Sequence, residues 1–161
     1  MYHLQPMDAE SARAMFGWFY DEPYAMYNFV IGADGIEAGI AFFVDPQNHY
    51  YGIKDDRGEL LGYCCFGAEA TVPGGDYSPD ALDVGAGMRP DLTGQGRGHE
   101  VIEAALELGR ELFHPARFRA TIAAYNQRAQ RAVGKIGFVE TSRFNRESDG
   151  LQFVIFIRNI S

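Results

Sequence analysis

The sequence predicts a mixed α/β (α+β) fold: a mostly antiparallel central sheet of six or seven strands with helices on both faces. Three observations carry this. Short apolar-alternating segments separated by turn residues flank the middle of the chain and read as hairpins. One strand–helix–strand crossover lies between them, from Leu82 to Ala124. Two further segments with helical spacing precede the first hairpin, giving the order β-α-α-β-β-β-α-β-α-β-β.

Taken in order, Tyr2 to Gln5 is a short strand stopped by Pro6, and Asp8 can cap a helix from Ala9 to about Tyr20. Glu10 is well placed in its first turn. Trp18 to Phe29 is dense in aromatic residues, which suit either a core or a substrate pocket; Trp18, Tyr24 and Tyr27 are the candidates for the second role. Ile36, Ile40 and Phe43 keep helical spacing between Asp34 and Val44, and Asp45-Pro46 ends that helix. His49 to Lys54 and Leu60 to Gly67 form a hairpin around Asp55-Asp56-Arg57-Gly58, and Ala68 to Pro79 is a loop.

The strand from Leu82 to Met88 carries Gly85 and Gly87, which signal a bulge or a close approach by another group. Pro90 ends it. Glycines at 94, 96 and 98 follow, then an amphipathic helix with Val101, Ala105, Leu108 and Leu112 on one face, ending at Phe113. Strand, glycine loop and helix together can turn main-chain N–H groups into an anion site, because first-turn amides have no partners and the helix dipole favours negative charge. Arg117 to Ala124 returns as a strand. Asn126 caps a helix from Gln127 to Ile136, with Ala129, Ala132, Val133 and Ile136 inward and Arg128, Arg131 and Lys135 on a basic side. Gly137 sits at the C-cap, and strands Phe138 to Phe144 and Leu151 to Arg158 close the chain around Ser148-Asp149-Gly150.

The totals narrow the function. A chain of 161 residues with 47% hydrophobic and 22% charged residues is an ordinary globular domain, most simply one unit over 1–161. A formal net charge of −8 argues against nucleic acid and is compatible with a cationic or amine-bearing small substrate. Cys64 and Cys65 are adjacent in a strand, so they point to opposite faces and read as buried thiols of a reducing compartment. The histidines at 3, 49, 99 and 114 have no zinc-site spacing, so no metal is expected. No membrane-length apolar run and no signal pattern is present, and the cytoplasm is the expected location. Val84-Gly-Ala-Gly87 fails as a dinucleotide fingerprint because Pro90 stands at the third glycine, and no Gly-Lys-Ser/Thr follows the later glycines.

Two stretches, in this order and at this separation, resemble the GNAT superfamily of acyl-coenzyme A N-acyltransferases. One is Met88-Arg-Pro-Asp-Leu-Thr-Gly-Gln-Gly-Arg-Gly98; the other is Asn126-Gln-Arg-Ala129 with Lys135-Ile-Gly-Phe138. The resemblance implies an acetyl-coenzyme A-dependent N-acetyltransferase in which a small-molecule or peptide amine attacks the thioester directly. It implies that the diphosphate rests on the N–H groups of Thr93, Gly94, Gln95, Gly96, Arg97 and Gly98 and on the helix start at His99. The pantetheine arm would run along Ala86 to Met88, Asn126 would hydrogen-bond that arm or order a water, and Arg97, Arg131 or Lys135 would contact the terminal phosphates. Thr93 stands where the family has Arg or Gln, and Val133 stands where it has a Tyr that protonates the leaving thiolate. Tyr125 is the nearest replacement acid in sequence, and Asp83 is the candidate general base, with Tyr27, Glu22 and His49 as alternatives. The rival expectation is an inactive acyl-coenzyme A sensor of the same fold. The acceptor would be chosen by Trp18 to Val44 and Ala68 to Pro79, and a homodimer could form through the apolar final strand.

Overall fold

A computed structural model describes residues 1–160. Seven strands form one sheet in the order β1-β2-β3-β4-β5-β7-β6. They are β1 (His3–Pro6), β2 (Tyr50–Lys54), β3 (Leu60–Phe66), β4 (Leu82–Met88), β5 (Arg117–Ala123), β6 (Val139–Asn145) and β7 (Gln152–Asn159). All neighbours are antiparallel except β4 and β5, the pair joined by the crossover helix. Among the described residues the α-helices are α1 (Ala9–Met15), α2 (Ile36–Val44), α3 (Gly98–Phe113) and α4 (Gln127–Lys135).

Strand alternation divides the core into two. Ile53, Cys64, Phe66 and Val84 face α3 and α4, where they meet Val101, Ala105, Leu106 and Val133. On the opposite face Tyr50, Leu60 and Tyr63 pack against Met7, Ala12, Met15, Ile40 and Phe43 of the α1–α2 layer. Cys64 and Cys65 therefore point to opposite faces, both buried and free, as the sequence predicts.

Several boundaries differ from expectation. Helix α1 stops at Met15 instead of about Tyr20, because Gly17 and Trp18 fold back onto the carbonyls of Ala14 and Met15 and close the last turn. On α3 the buried face is Val101, Ala105, Leu106 and Gly109, and Leu112 is exposed. A Cβ at Gly109 would sit 3.0 Å from the rings of Phe118 and Phe66, so the glycine lets this helix lie close on the sheet. The final strand does not form an edge. β7 is paired on both sides, by β5 and β6, and so offers no free edge for pairing across a two-fold axis.

Asp8 caps α1 as expected, accepting from the Ser11 N–H at 2.7 Å and from the Lys54 ammonium at 3.0 Å. Burial acts to raise its carboxyl, and these hydrogen bonds outweigh burial to bring it below the ordinary value of 3.8. Asp8→Ala is expected to cost about 1 kcal/mol in urea unfolding near pH 7. Since the folded value is the lower one, the contribution is complete above 3.8 and fades as pH falls through the folded value.

Candidate functional site

The feature that builds the site is a fork in the sheet. β4 and β5 are paired only at Leu82↔Phe118 and Asp83↔Arg119, and beyond these rungs they diverge. No bulge causes this: β3 and β4 stay in unbroken register from Gly62↔Met88 to Phe66↔Val84. The glycine at 87 answers to the protein's own side chain, because a Cβ there would lie 2.4 Å from the Tyr63 ring. Arg89 donates its N–H to Leu61 on the β3 side at 2.8 Å, so alternation turns the main-chain groups of Met88 and Ala86 toward the open fork. The Met88 carbonyl is capped there by the Tyr20 hydroxyl. Burial pushes the Tyr20 phenol up to about 12, so it remains a donor.

A cavity of about 340 Å³ runs through the fork. It is lined by Thr93, Gly94, Gly96, Gly98 and His99 of the glycine loop and helix start, by the four tyrosines Tyr20, Tyr24, Tyr27 and Tyr63, and by Ala86 to Met88 and Asn126. In the glycine loop, Thr93 turns inward, with both its N–H and its hydroxyl on the Pro90 carbonyl. Gly94 and Gly96 both adopt φ +76°, a left-handed backbone that glycine takes without steric cost. Among the described residues, no main-chain N–H from Gly94 to His99 donates to a protein acceptor. The α3 N-terminus has no side-chain cap. Six consecutive amides at the head of a sixteen-residue helix make an anion cradle.

From α4, Arg128, Arg131 and Lys135 line the same cavity. Asn126 does two jobs at the start of that helix. Its Oδ1 accepts from the Ala129 N–H at 3.1 Å, and its Nδ2 donates to the Tyr27 hydroxyl at 3.1 Å. Burial raises the Tyr27 phenol above its ordinary value of 10.0 against the pull of that hydrogen bond.

Of the residues proposed from sequence, Ala86, Met88, Thr93, Gly94, Gly96, Gly98, His99, Asn126, Arg131, Tyr24 and Tyr27 come together on the cavity. Others do not. Asp83 is 8% exposed and bound by Arg119 at 2.6 and 2.9 Å, so neither carboxylate oxygen is free to act as a base. Arg97 turns away to the Tyr2 hydroxyl at 3.1 Å, and the Gln95 side chain returns to the Asp91 carbonyl at 3.1 Å; each leaves only its main chain in the cradle. Trp18 packs beside Tyr63 at 6.5 Å in the α1–α2 core, not in the cavity. Tyr125 is not among the lining residues; it lies 6.1 Å from Tyr24 with its hydroxyl buried. His49 packs on Phe113 at 5.4 Å, away from the cavity, and Glu22 is exposed outside it. Val133 is 2% exposed in the core, so a proton donor at that position is replaced by packing.

Sequence reasoning missed Tyr20, Tyr63 and the placement of Arg128. Tyr63 was legible in principle, since a tyrosine opposite Gly87 in the β3–β4 pairing has room to lie across the strand. Nothing local marks Tyr20, which follows the end of α1.

The comparisons agree with this architecture. A family model described as acetyltransferase (GNAT) domain matches residues 2–139. No curated protein matches the chain by sequence. Among solved structures, the chain is similar to aminoglycoside acetyltransferase AAC(6')-Ib in complex with coenzyme A and kanamycin, with TM-score 0.76, 16% identity, and 99% and 95% of the two chains covered. It is similar to a spermidine N-acetyltransferase SpeG chimera from Vibrio cholerae and hSSAT at TM-score 0.74 and 15% identity, covering 98% and 95%. A GNAT-family acetyltransferase from Bacillus anthracis gives TM-score 0.75 and 14% identity over 98% and 94%. With a family model spanning most of its length and a sheet forked at β4 and β5, this chain belongs to the GNAT acetyltransferase family.

Proposed function

We propose that the protein is an acetyl-coenzyme A-dependent N-acetyltransferase, in which a primary amine attacks the thioester directly while both substrates are bound. The observation that carries this reading is the run of unpartnered amides from Gly94 to His99 opening onto the fork beside β4. The residues fit the cofactor. The space around Gly96 is empty, with no residue apart from its chain neighbours within 4 Å of where a Cβ would stand, so a diphosphate has room against the main chain. Arg131 and Lys135 supply charge for the remaining phosphate, in place of Arg97. The fork-facing edge of Ala86 and Met88 offers an unpaired strand edge to an extended arm, which would end near the capped Met88 carbonyl.

Acetyl-coenzyme A supplies a thioester-bound acetyl group. The chain's part is to align that group, stabilise charge and exclude water. The fork-facing N–H groups of Ala86 and Met88 can donate to the carbonyl oxygen as it gains charge. Among the described residues no carboxylate lines the cavity, so the attacking amine arrives neutral, and the proton it sheds as the amide forms passes to water while the thiolate leaves. Tyr27 offers the leaving sulfur a hydrogen bond, where Val133 offers none. Asn126 occupies a lone pair of its oxygen, leaving the phenolic O–H to donate into the cavity toward the departing sulfur. Its raised pKa keeps the proton on the phenol, while a thiol leaves near roughly 8.5; Tyr27 therefore stabilises the thiolate through a hydrogen bond.

Mixing the protein, acetyl-coenzyme A and a panel of amines is expected to release free thiol. Ligand-induced stabilisation without thiol release across the panel would instead identify a sensor, a reading that buried Val133 favours. Tyr27→Phe is expected to lower kcat about a hundredfold while the acetyl-coenzyme A Kd holds. An unchanged kcat would remove Tyr27 from the chemistry.

A further inference from the structure

The geometry points to an acceptor that carries a carboxylate beside its reacting amine, an amino acid with an aromatic or apolar side chain, in place of a polycation. This rests on the acetyltransferase reading above. The protein as a whole is acidic, with a formal charge of −8, yet among the described residues no Asp or Glu lines this cavity. The nearest acids in sequence to the tyrosines, Asp21 and Glu22, are exposed and outside it, and Asp83 is sealed by Arg119. An amine that reacts can shed its proton, but the second and third ammonium groups of a polyamine cannot all do so. They would meet the Arg128 guanidinium with no acidic side chain in the lining to hold them, Arg131 and Lys135 being taken by the cofactor's phosphate. The sequence-based expectation that acidity serves a cationic substrate therefore does not extend to the cavity.

What the acceptor end does contain is complementary to an anion on a flat or apolar body. Tyr20, Tyr24, Tyr27 and Tyr63 supply ring surface with few charges. The Arg128 guanidinium lies 3.8 Å from the centre of the Tyr24 ring. Among the described residues it pairs with no carboxylate. A guanidinium stacked on a ring keeps its edge N–H groups for a planar, two-point partner such as a carboxylate. A Cβ at Gly94 would be 3.4 Å from Arg128 Nη1, so the guanidinium spans from the Tyr24 ring to the edge of the anion cradle.

The test uses the full chain with acetyl-coenzyme A, following thiol release with phenylalanine, methionine, their amides, spermidine and kanamycin. The free acids are expected to be preferred over their amides by about tenfold to a hundredfold in kcat/KM, the range for a charged hydrogen-bonded pair. Arg128→Gln is expected to collapse that preference toward unity with the acetyl-coenzyme A Kd retained by calorimetry. Preferred turnover of spermidine or kanamycin, or equal use of acids and amides, would overturn the acceptor class and leave the acetyltransferase intact. Loss of acetyl-coenzyme A affinity in Arg128→Gln would also overturn it, by assigning the guanidinium to the diphosphate. Thiol release with none of the amines, despite binding of acetyl-coenzyme A, would defeat the acetyltransferase reading itself.

Discussion

Gly96→Asp is expected to abolish acetyl-coenzyme A binding while leaving a folded protein. The position has φ +76°, a region Asp enters more readily than most residues, at a cost of about 1 kcal/mol. Apart from its chain neighbours, no residue lies within 4 Å of the new Cβ site, so the strain is that of the backbone angle. Its carboxylate would lie among amides that have no protein partner and would compete for them. It would also stand against the diphosphate. A unit charge at 4 Å in a surface-like dielectric contributes about 4 kcal/mol, close to a thousandfold in Kd. Thermal shift is the simplest measurement: the parent protein at a hundred times Kd should gain roughly 2.7 kcal/mol, and the variant nothing. A folded variant with the parent's affinity would place the diphosphate elsewhere.

Asp83→Ala is expected to act on stability and not first on chemistry. Asp83 and Arg119 are 8% and 3% exposed, and their contact falls on the last rung joining β4 to β5. Arg119 also donates to the Pro79 carbonyl at 2.8 Å, tying the loop before β4 to the base of the fork. Removing the carboxylate strands a buried guanidinium, which costs about 3–5 kcal/mol. Replacing both partners with apolar side chains, as in Asp83→Leu with Arg119→Met, should recover most of the loss. Denaturant unfolding of the three proteins reads this directly. If the single variant kept its stability and lost only kcat, Asp83 would be the base after all.

What was legible in the sequence follows physical scale. Patterns set by neighbours in the chain were readable: the Asp8 and Asn126 caps, the glycine loop and the alternation that separates Cys64 from Cys65. Contacts set by distant pairing were not. Asp83 faces the side with the glycines, which suggested space for a ligand, but space beside a strand depends on what lies across it. Here Arg119 comes from thirty-six residues away and Tyr63 from the neighbouring strand. Arg97 looked like a phosphate ligand because it sits in the loop, yet Tyr2, ninety-five residues earlier, takes its guanidinium. The main chain of the cradle could be foreseen because glycine spacing dictates it; the side chains around it required the fold.

The missing methyl at Gly87 has a consequence for how such an enzyme could change its taste. The Tyr63 ring rests where that methyl would stand, 2.4 Å away, so Gly87→Ala would displace the ring. The ring forms part of the acceptor end of the cavity, so one carbon added to a strand would reshape the room offered to the amine. Selectivity can thus be retuned from the strand itself, by a substitution that changes no tyrosine in the sequence.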